Sequence, residues 1–322
     1  MRCSIGLLIA LAVMAAPLAG ETQQGGAPRI GWLTSSVVHT RNVDAFRRGM
    51  RDHGHREVNL EIRAAGGDVD RLPRLAADLV ALNVDVIVTD GGPALMAAQR
   101  ATTSIPIVIG AAATELVDQG VVASLARPGG NITGFIISTG VELYGKRLEL
   151  LREAVPTLTR VAIVMNPRNQ VSMRARPSIE AAARALGIQF DVIEASNAEQ
   201  LERALAAKNR GRVDGLLTAA DAYLWSLRDR IVAISTRQRL PAIYPEAEFA
   251  EAGGLMAYGP NVPDNFRRAA GYVDKILKGT KPGDLPIEQP AKFDFVINMK
   301  AAKTLGVTIA PSLLLRADHV IE

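Results

Sequence analysis

Short apolar runs alternate with amphipathic stretches along the chain from Arg29 onward. Ile30 to Leu33 predicts a strand. Over Val43 to His53, Phe46 and Met50 fall four residues apart, the spacing of one helix face. Leu60 to Arg63 predicts a second strand. Asp70 to Leu82 carries Leu72, Leu75, Leu79 and Leu82 on one side and predicts a helix. Val84 to Thr89 is a dense β-branched run of the kind found in buried parallel strands. Pro93 to Ala101 reads as helix and Ile105 to Ile109 as strand. Strand and helix in alternation, with short connections, argue for a parallel sheet covered on both faces.

The cycle then restarts. Arg160 to Met165, Gln189 to Glu194, Gly215 to Thr218 and Pro241 to Tyr244 predict strands. Ser178 to Leu186, Ala198 to Ala207 and Asp229 to Gln238 predict the helices between them. Pro128-Gly129-Gly130 and Pro156 bracket the change of lobe. Gly253 to Gly259 reads as a strand returning from the second lobe to the first. Asp264 to Leu277 reads as a helix stopped by Gly279. Gly283 to Gln289 is a linker with two prolines, and Phe293 to Asn298 and Met299 to Leu305 form a last strand and helix. The expected organisation is α/β, with two Rossmann-like lobes: 28–136 with 259–286, and 137–258 with 287–322. Such a chain crosses a hinge several times, and hinged lobes suit closure on a ligand.

The first twenty residues change this picture. Arg2 supplies a small positive region, and Ile5 to Ala16 is apolar but short for a membrane span. Pro17-Leu18-Ala19-Gly20 then offers small residues for cleavage. Residues 1–20 therefore read as a secretory signal peptide, so export across the inner membrane to the periplasm is expected. The single cysteine, Cys3, lies inside that segment and ahead of its apolar run. A lipid-anchoring cysteine would stand at the cleavage point, so a soluble product without an anchor is expected. Past the leader, disulfides and thiolate chemistry are excluded.

The 322 residues are 48% hydrophobic and 22% charged, an ordinary globular balance with a net charge of +4. No Lys/Arg run tracks phosphates, so nucleic acid is not an expected partner. Catalytic signatures are missing: there is no His-Glu-x-x-His, no Gly-x-Ser-x-Gly and no Gly-x-Gly-x-x-Gly. The histidines are His39, His53, His55 and His319. His53 and His55 flank Gly54 without a carboxylate cluster and read as a solvated turn, so no metal is expected. Gly140 to Lys146 matches most of a phosphate-binding loop, but Arg147 stands where Ser or Thr must hold magnesium. Leu143, Arg147 and Leu150-Leu151 read instead as a helix face. No cofactor and no enzymatic activity are expected.

Candidate ligand contacts come from topology. In open α/β sheets ligands sit outside the carboxyl ends of the strands. In the first lobe these ends are Thr34, Ser35 and Ser36, then Asp90, Gly91 and Gly92, then Gly110 and Ala111. In the second they are Asn166 and Asn169, Asp221 and Tyr223, and Glu246, with Tyr258 near a crossing. Gly91-Gly92 before a helix suits an anion, and Asp221 or Glu246 suits an ammonium group. Together they would suit a zwitterion such as an amino acid. Trp225, Tyr223, Tyr244 and Tyr258 are available as aromatic walls, while Trp32 lies within the first strand and reads as core.

Several stretches resemble one family. They include Asp70-Arg71-Leu72-Pro73, Val84 to Thr89, Ile105-Pro106-Ile107-Val108 and Ser124 to Gly134 (SLARPGGNITG). Gly145 to Leu151, Asn166-Pro167, Gly253 to Met256, Tyr258 to Asn261, Tyr272 to Gly279 and Leu285 to Pro290 continue the match. The chain is similar to the ABC transporter substrate-binding proteins of the tryptophan/tyrosine-binding (TrpX-like) family. The resemblance implies the type I periplasmic-binding fold, with lobes joined by a three-segment hinge. It also implies delivery of a small molecule to a membrane permease with its ATPase. One departure falls at Glu115 and Leu116, where relatives often carry Asp-Pro.

The function expected is that of an extracytoplasmic solute-binding component of an ABC importer. It would bind an amino acid or small carboxylate between the lobes, as a monomer. The alternative is a periplasmic sensor of the same fold that docks onto a membrane receptor or sensor kinase. A repressor of this fold is disfavoured, because a leader stands where a helix-turn-helix would be needed.

Overall fold

The first lobe begins on an apolar strand that needs cover on both faces. In the computed structural model, which describes residues 27–112, 116–137, 141–208, 213–290 and 293–322, that strand is β1 (Arg29–Thr34). The leader with Cys3, and Glu115, lie outside the described residues. After β1 come α1 (Thr40–Asp52), β2 (Asn59–Ala64), α2 (Leu72–Ala81), β3 (Val86–Asp90), α3 (Gly92–Ala101), β4 (Ile107–Ala111) and β5 (Ile132–Phe135). Every residue of β3 and β4 is buried, including the polar Thr89 and Asp90 that end β3 after its apolar run.

The second lobe holds α4 (Val141–Ala154), β6 (Arg160–Met165), α5 (Gln170–Arg174), α6 (Arg176–Ala185), β7 (Gln189–Glu194), α7 (Ala198–Lys208) and β8 (Gly215–Thr218). It continues through α8 (Ala222–Ser226), α9 (Arg228–Arg237), β9 (Ala242–Tyr244), α10 (Ala247–Glu251) and β10 (Met256–Pro260). The chain then forms α11 (Val262–Leu277), β11 (Ile287–Glu288), β12 (Phe293–Asn298), α12 (Met299–Leu305), α13 (Pro311–Leu314) and β13 (His319–Ile321).

Among the described residues, the first sheet runs β11-β5-β4-β3-β1-β2 and is parallel throughout. The second runs β13-β12-β10-β9-β8-β6-β7, and its β10–β12 pair is antiparallel. The strand order reverses between β1 and β3 in one lobe and between β6 and β8 in the other. Each reversal opens a crevice at the carboxyl ends of those strands.

The chain passes between the lobes three times: after β5, after β10 and after β11. The return strand read over Gly253 to Gly259 is β10, which stays in the second sheet, and the passage back begins at Asn261. The linker read over Gly283 to Gln289 contains β11, whose Ile287 and Glu288 pair with Gly134 and Phe135 of the first sheet. Asn261 Nδ2 donates to Asp294 Oδ2 at 2.8 Å and ties two passages together. Trp32 is core, stacked on Phe266 at 4.8 Å and edge-on to Phe46 at 5.7 Å. Val141 to Lys146 of the stretch resembling a phosphate-binding loop are the start of α4, with Leu143, Arg147, Leu150 and Leu151 buried, and Gly140 lies outside the described residues.

Candidate functional site

β1 ends at Thr34, and Ser35 N–H donates to Asp90 O at the end of β3. The β3–β4 register shifts there: Thr89 faces Ile109, but Asp90 faces Ala111, so Gly110 is skipped. A bulge of this kind re-aims side chains at a sheet's rim. Gly91 N–H donates to Ala111 O at 2.7 Å. Gly91 has φ +101°, and a Cβ there would overlap Ser35 Oγ. Only glycine suits that turn. α3 starts one residue later with Pro93 in its first turn, and the first N–H groups of a helix have no intrahelical acceptor.

Across the cleft, Asp221 precedes α8 and caps it: Oδ1 accepts from Leu224 N–H at 2.8 Å. Its Oδ2 accepts from Asn169 Nδ2 at 2.7 Å. Asn166 accepts Arg168 N–H at 3.1 Å, which shapes the turn carrying Asn169. Glu246 stands before α10 without capping it. Behind it, Arg147 is fully buried on α4. Its Nε donates to Tyr258 O at 2.7 Å, and its guanidinium lies 5.2 Å from the Tyr144 ring centroid.

These strand ends enclose a cavity between the lobes, with about 640 Å³ of space free of protein atoms, its mouth included. Of the strand-end candidates, Ser35, Asp90, Gly91, Gly92, Ala111, Asn169, Asp221 and Glu246 line it. Thr34, Ser36, Gly110, Asn166, Tyr223 and Tyr258 do not. Gly110 backs onto the Phe266 ring of α11, and Tyr258 stacks on Phe293 with centroids 5.9 Å apart. Tyr223 instead covers Gly67 of the opposite lobe. Tyr244 is core, stacked on Phe249.

The structure adds lining residues that strand ends do not point to, chiefly His39, Arg41, Asn42 and Trp225. His39 stands just before α1. Its Nδ1 lies 3.4 Å from Asp90 Oδ2 and 3.2 Å from Asn42 Nδ2. His39 packs against Trp225 across the cleft, with centroids 3.7 Å apart and the rings tilted by 39°, and the Arg228 guanidinium lies over the indole at 4.1 Å. The lobes also meet where Arg168 pairs with Asp68 and Asp70, and where Arg41 pairs with Glu251 at 2.7 Å. The lobes are therefore closed around the cavity.

Burial raises the carboxyl pKa of Asp90 against the pull of His39 and Asn42. Burial also raises that of Asp221 against its bonds from Asn169 and Leu224. Glu246 is pushed well above the usual range, first by burial and then by the negative charges of Glu248 and Asp90, with Arg147 opposing. Burial lowers the pKa of Arg147, and Tyr144 and Glu246 oppose that effect. The arrangement is a set of acids in one closed chamber, with a helix N-terminus on its wall. It has the means to bind a polar small molecule. No grouping of His, Cys, Asp and Glu among the described residues could hold a metal ion. No described helix is long and apolar enough to cross a membrane.

Comparison with known proteins places this geometry. The family model described as ABC transporter substrate binding protein matches residues 36–321. A tyrosine-binding protein of Clostridioides difficile (strain R20291) is 24% identical over 282 residues, 85% of this chain and 80% of that protein. A conserved domain protein from Vibrio cholerae superposes with a TM-score of 0.83 at 26% identity, covering 91% of this chain and 99% of its own. The ABC domain from Streptococcus pneumonia in complex with L-Trp gives a TM-score of 0.81 at 24% identity, covering 91% and 100%.

Proposed function

The chain belongs to the family of ABC transporter substrate-binding proteins, and from that premise we propose that it captures an amino acid between its lobes for an importer. The family is one of solute-binding proteins, not of enzymes. The carrying observation is the interlobe cavity, where buried Asp90 and Asp221 share a chamber with the start of α3. The acids suit an ammonium group, and the free N–H groups of the first helical turn suit a carboxylate. Pro93, Ala111, Ile137 and Val262 supply apolar wall for a side chain. The likeness to a tyrosine-binding protein and to a domain holding L-Trp supports the same class, with His39 and Trp225 as aromatic wall.

The leader-like segment at residues 1–20 supports capture in the periplasm, by a soluble monomer that hands its ligand to a permease with its ATPase. Thermal-shift and calorimetric titration of the purified protein against amino acids, small carboxylates, nucleosides and sugars tests the reading. Binding to the folded state alone raises Tm. A Tm rise confined to amino acids is the expected result. A rise confined to sugars or nucleosides would overturn it.

A further inference from the structure

The cavity holds more negative charge than one α-ammonium offsets. Asp90, Asp221, Glu246 and Glu248 all line it. The cations in reach are few. Arg41 is held by Glu251 at 2.7 Å and also faces Glu248 at 3.8 Å, so one guanidinium serves two acids. Arg147 faces Glu246 from behind the wall. His39 lies 3.4 Å from Asp90. Asp221 is met by neutral donors only, namely the Asn169 and Asn166 side chains and the Leu224 and Tyr223 amides.

A second observation is independent of that count. His39 Nε2, on a side chain more than nine-tenths buried, has no hydrogen-bond partner, and Asp90 Oδ2 beside it has only the 3.4 Å approach of His39 Nδ1. Both residues line the cavity, where a ligand would meet those atoms. Buried polar atoms without partners are rare and ask for an explanation. A zwitterion brings no net charge. It would leave the excess of carboxylates in a closed chamber, where an uncompensated charge is costly.

We propose that the ligand of this cleft is net cationic, a basic amino acid or an amine whose positive charge exceeds its negative charge, set among Asp90, Asp221 and Glu246. The inference rests on the amino-acid reading of the same cleft. The apolar wall of Pro93, Ala111, Ile137 and Val262 then packs against methylene or ring carbons, and the charged end reaches the acids.

Calorimetric titration with matched pairs tests this at neutral pH and fixed salt: L-lysine against L-norleucine, and L-phenylalaninamide against L-phenylalanine. In at least one pair the cationic member binds about tenfold more tightly or better. Asp221→Asn keeps an oxygen for the Leu224 amide and shrinks that preference toward one. Asp90→Asn serves as a second variant should the first fail to fold. If the zwitterion binds as tightly in every pair, the charge inference is overturned and the amino-acid reading stands. If no member binds at millimolar concentration, both fall. A preference that both folded variants leave unchanged also overturns the inference.

Discussion

His39 of the first lobe lies against Trp225 of the second, with ring centroids 3.7 Å apart and the Arg228 guanidinium over the indole. The contact joins lobes that share no sheet, so it exists only while the cleft is closed. It also sits beside Asp90, which faces the same histidine. Closure and the proposed ligand contact thus draw on the same side chains. Aromatic pairs contribute about 0.5–1.5 kcal/mol beyond their buried area. Trp225→Ala is therefore expected to weaken ligand binding roughly tenfold. It should also enlarge the ligand-free protein in small-angle scattering. Unchanged affinity together with unchanged dimensions would refute this role.

Tyr223 and Gly67 make the neighbouring contact. A Cβ at Gly67 would overlap the Tyr223 ring, and Gly67 has φ +88°. Gly67→Ala is expected to strain the turn in any state and to block closure as well. The two effects separate in a double variant. Tyr223→Ala added to Gly67→Ala removes the overlap and restores part of the lost affinity, while leaving the strain in Tm. Titration of the single and double variants checks this; no recovery of affinity would mean that the overlap does not control closure.

Much of this architecture is legible in the chain. β6, β7, β8 and β12 span the residues that their apolar runs predict, because each is bounded by polar or turn residues. β5 and β11 are harder to read. β5 is four residues long and includes Gly134, and β11 is two residues beside Pro286. Both are held by neighbours distant in sequence: Thr133 Oγ1 donates to Leu285 O at 2.9 Å. The site divides in the same way. Asp90, Asp221 and Glu246 follow strands and are found by topology. His39 precedes α1, and Trp225 sits in a five-residue helix, so neither position is marked by a strand end. Gly110 and Ala111 look equivalent in sequence, yet the bulge sends one toward α11 and the other into the cavity.

That bulge makes a stability prediction. Gly110 has no room for a side chain, since a Cβ would meet the Phe266 ring. Gly110→Ala overpacks the first lobe and is expected to cost about 1–3 kcal/mol. For a chain of this size each kcal/mol lowers Tm by roughly 2–4 °C. Scanning calorimetry checks the value. A Tm equal to that of the parent would show that α11 moves aside freely.

Acid sensitivity should trace in part to Asp274, buried between α1 and α11. Burial opposes its ionisation. Its bonds from Lys278 Nζ at 2.8 Å and with His55 Nε2 at 2.9 Å outweigh that, and its pKa falls below 3.8. A carboxyl depressed in the folded state stabilises above its unfolded pKa, and that contribution is lost as pH falls through the folded value. Asp274→Asn should therefore lower Tm at neutral pH and converge on the parent as pH falls through the depressed folded pKa. A constant Tm difference across that range would exclude the ionised group as the cause.

Glu246 carries the opposite sign. Burial comes first among the causes that push its pKa well above 4.5, followed by the charges of Glu248 and Asp90. The folded state then holds a proton that the unfolded chain releases near 4.5. Folding stability from this group is full below that value and declines as pH rises through the folded pKa. Glu246→Gln cannot ionise and escapes the decline. Ligand-free parent and variant should melt closest together near pH 4, with the variant gaining steadily toward neutral pH. Asp90 and Asp221, also raised, keep part of the slope in the variant. A cationic ligand supplies the missing partner, so its stabilisation of the parent should grow over the same range while that of the variant grows less. Melting curves with and without L-lysine measure both trends. Parallel profiles for parent and variant would show that Glu246 is ionised in the empty cleft without cost.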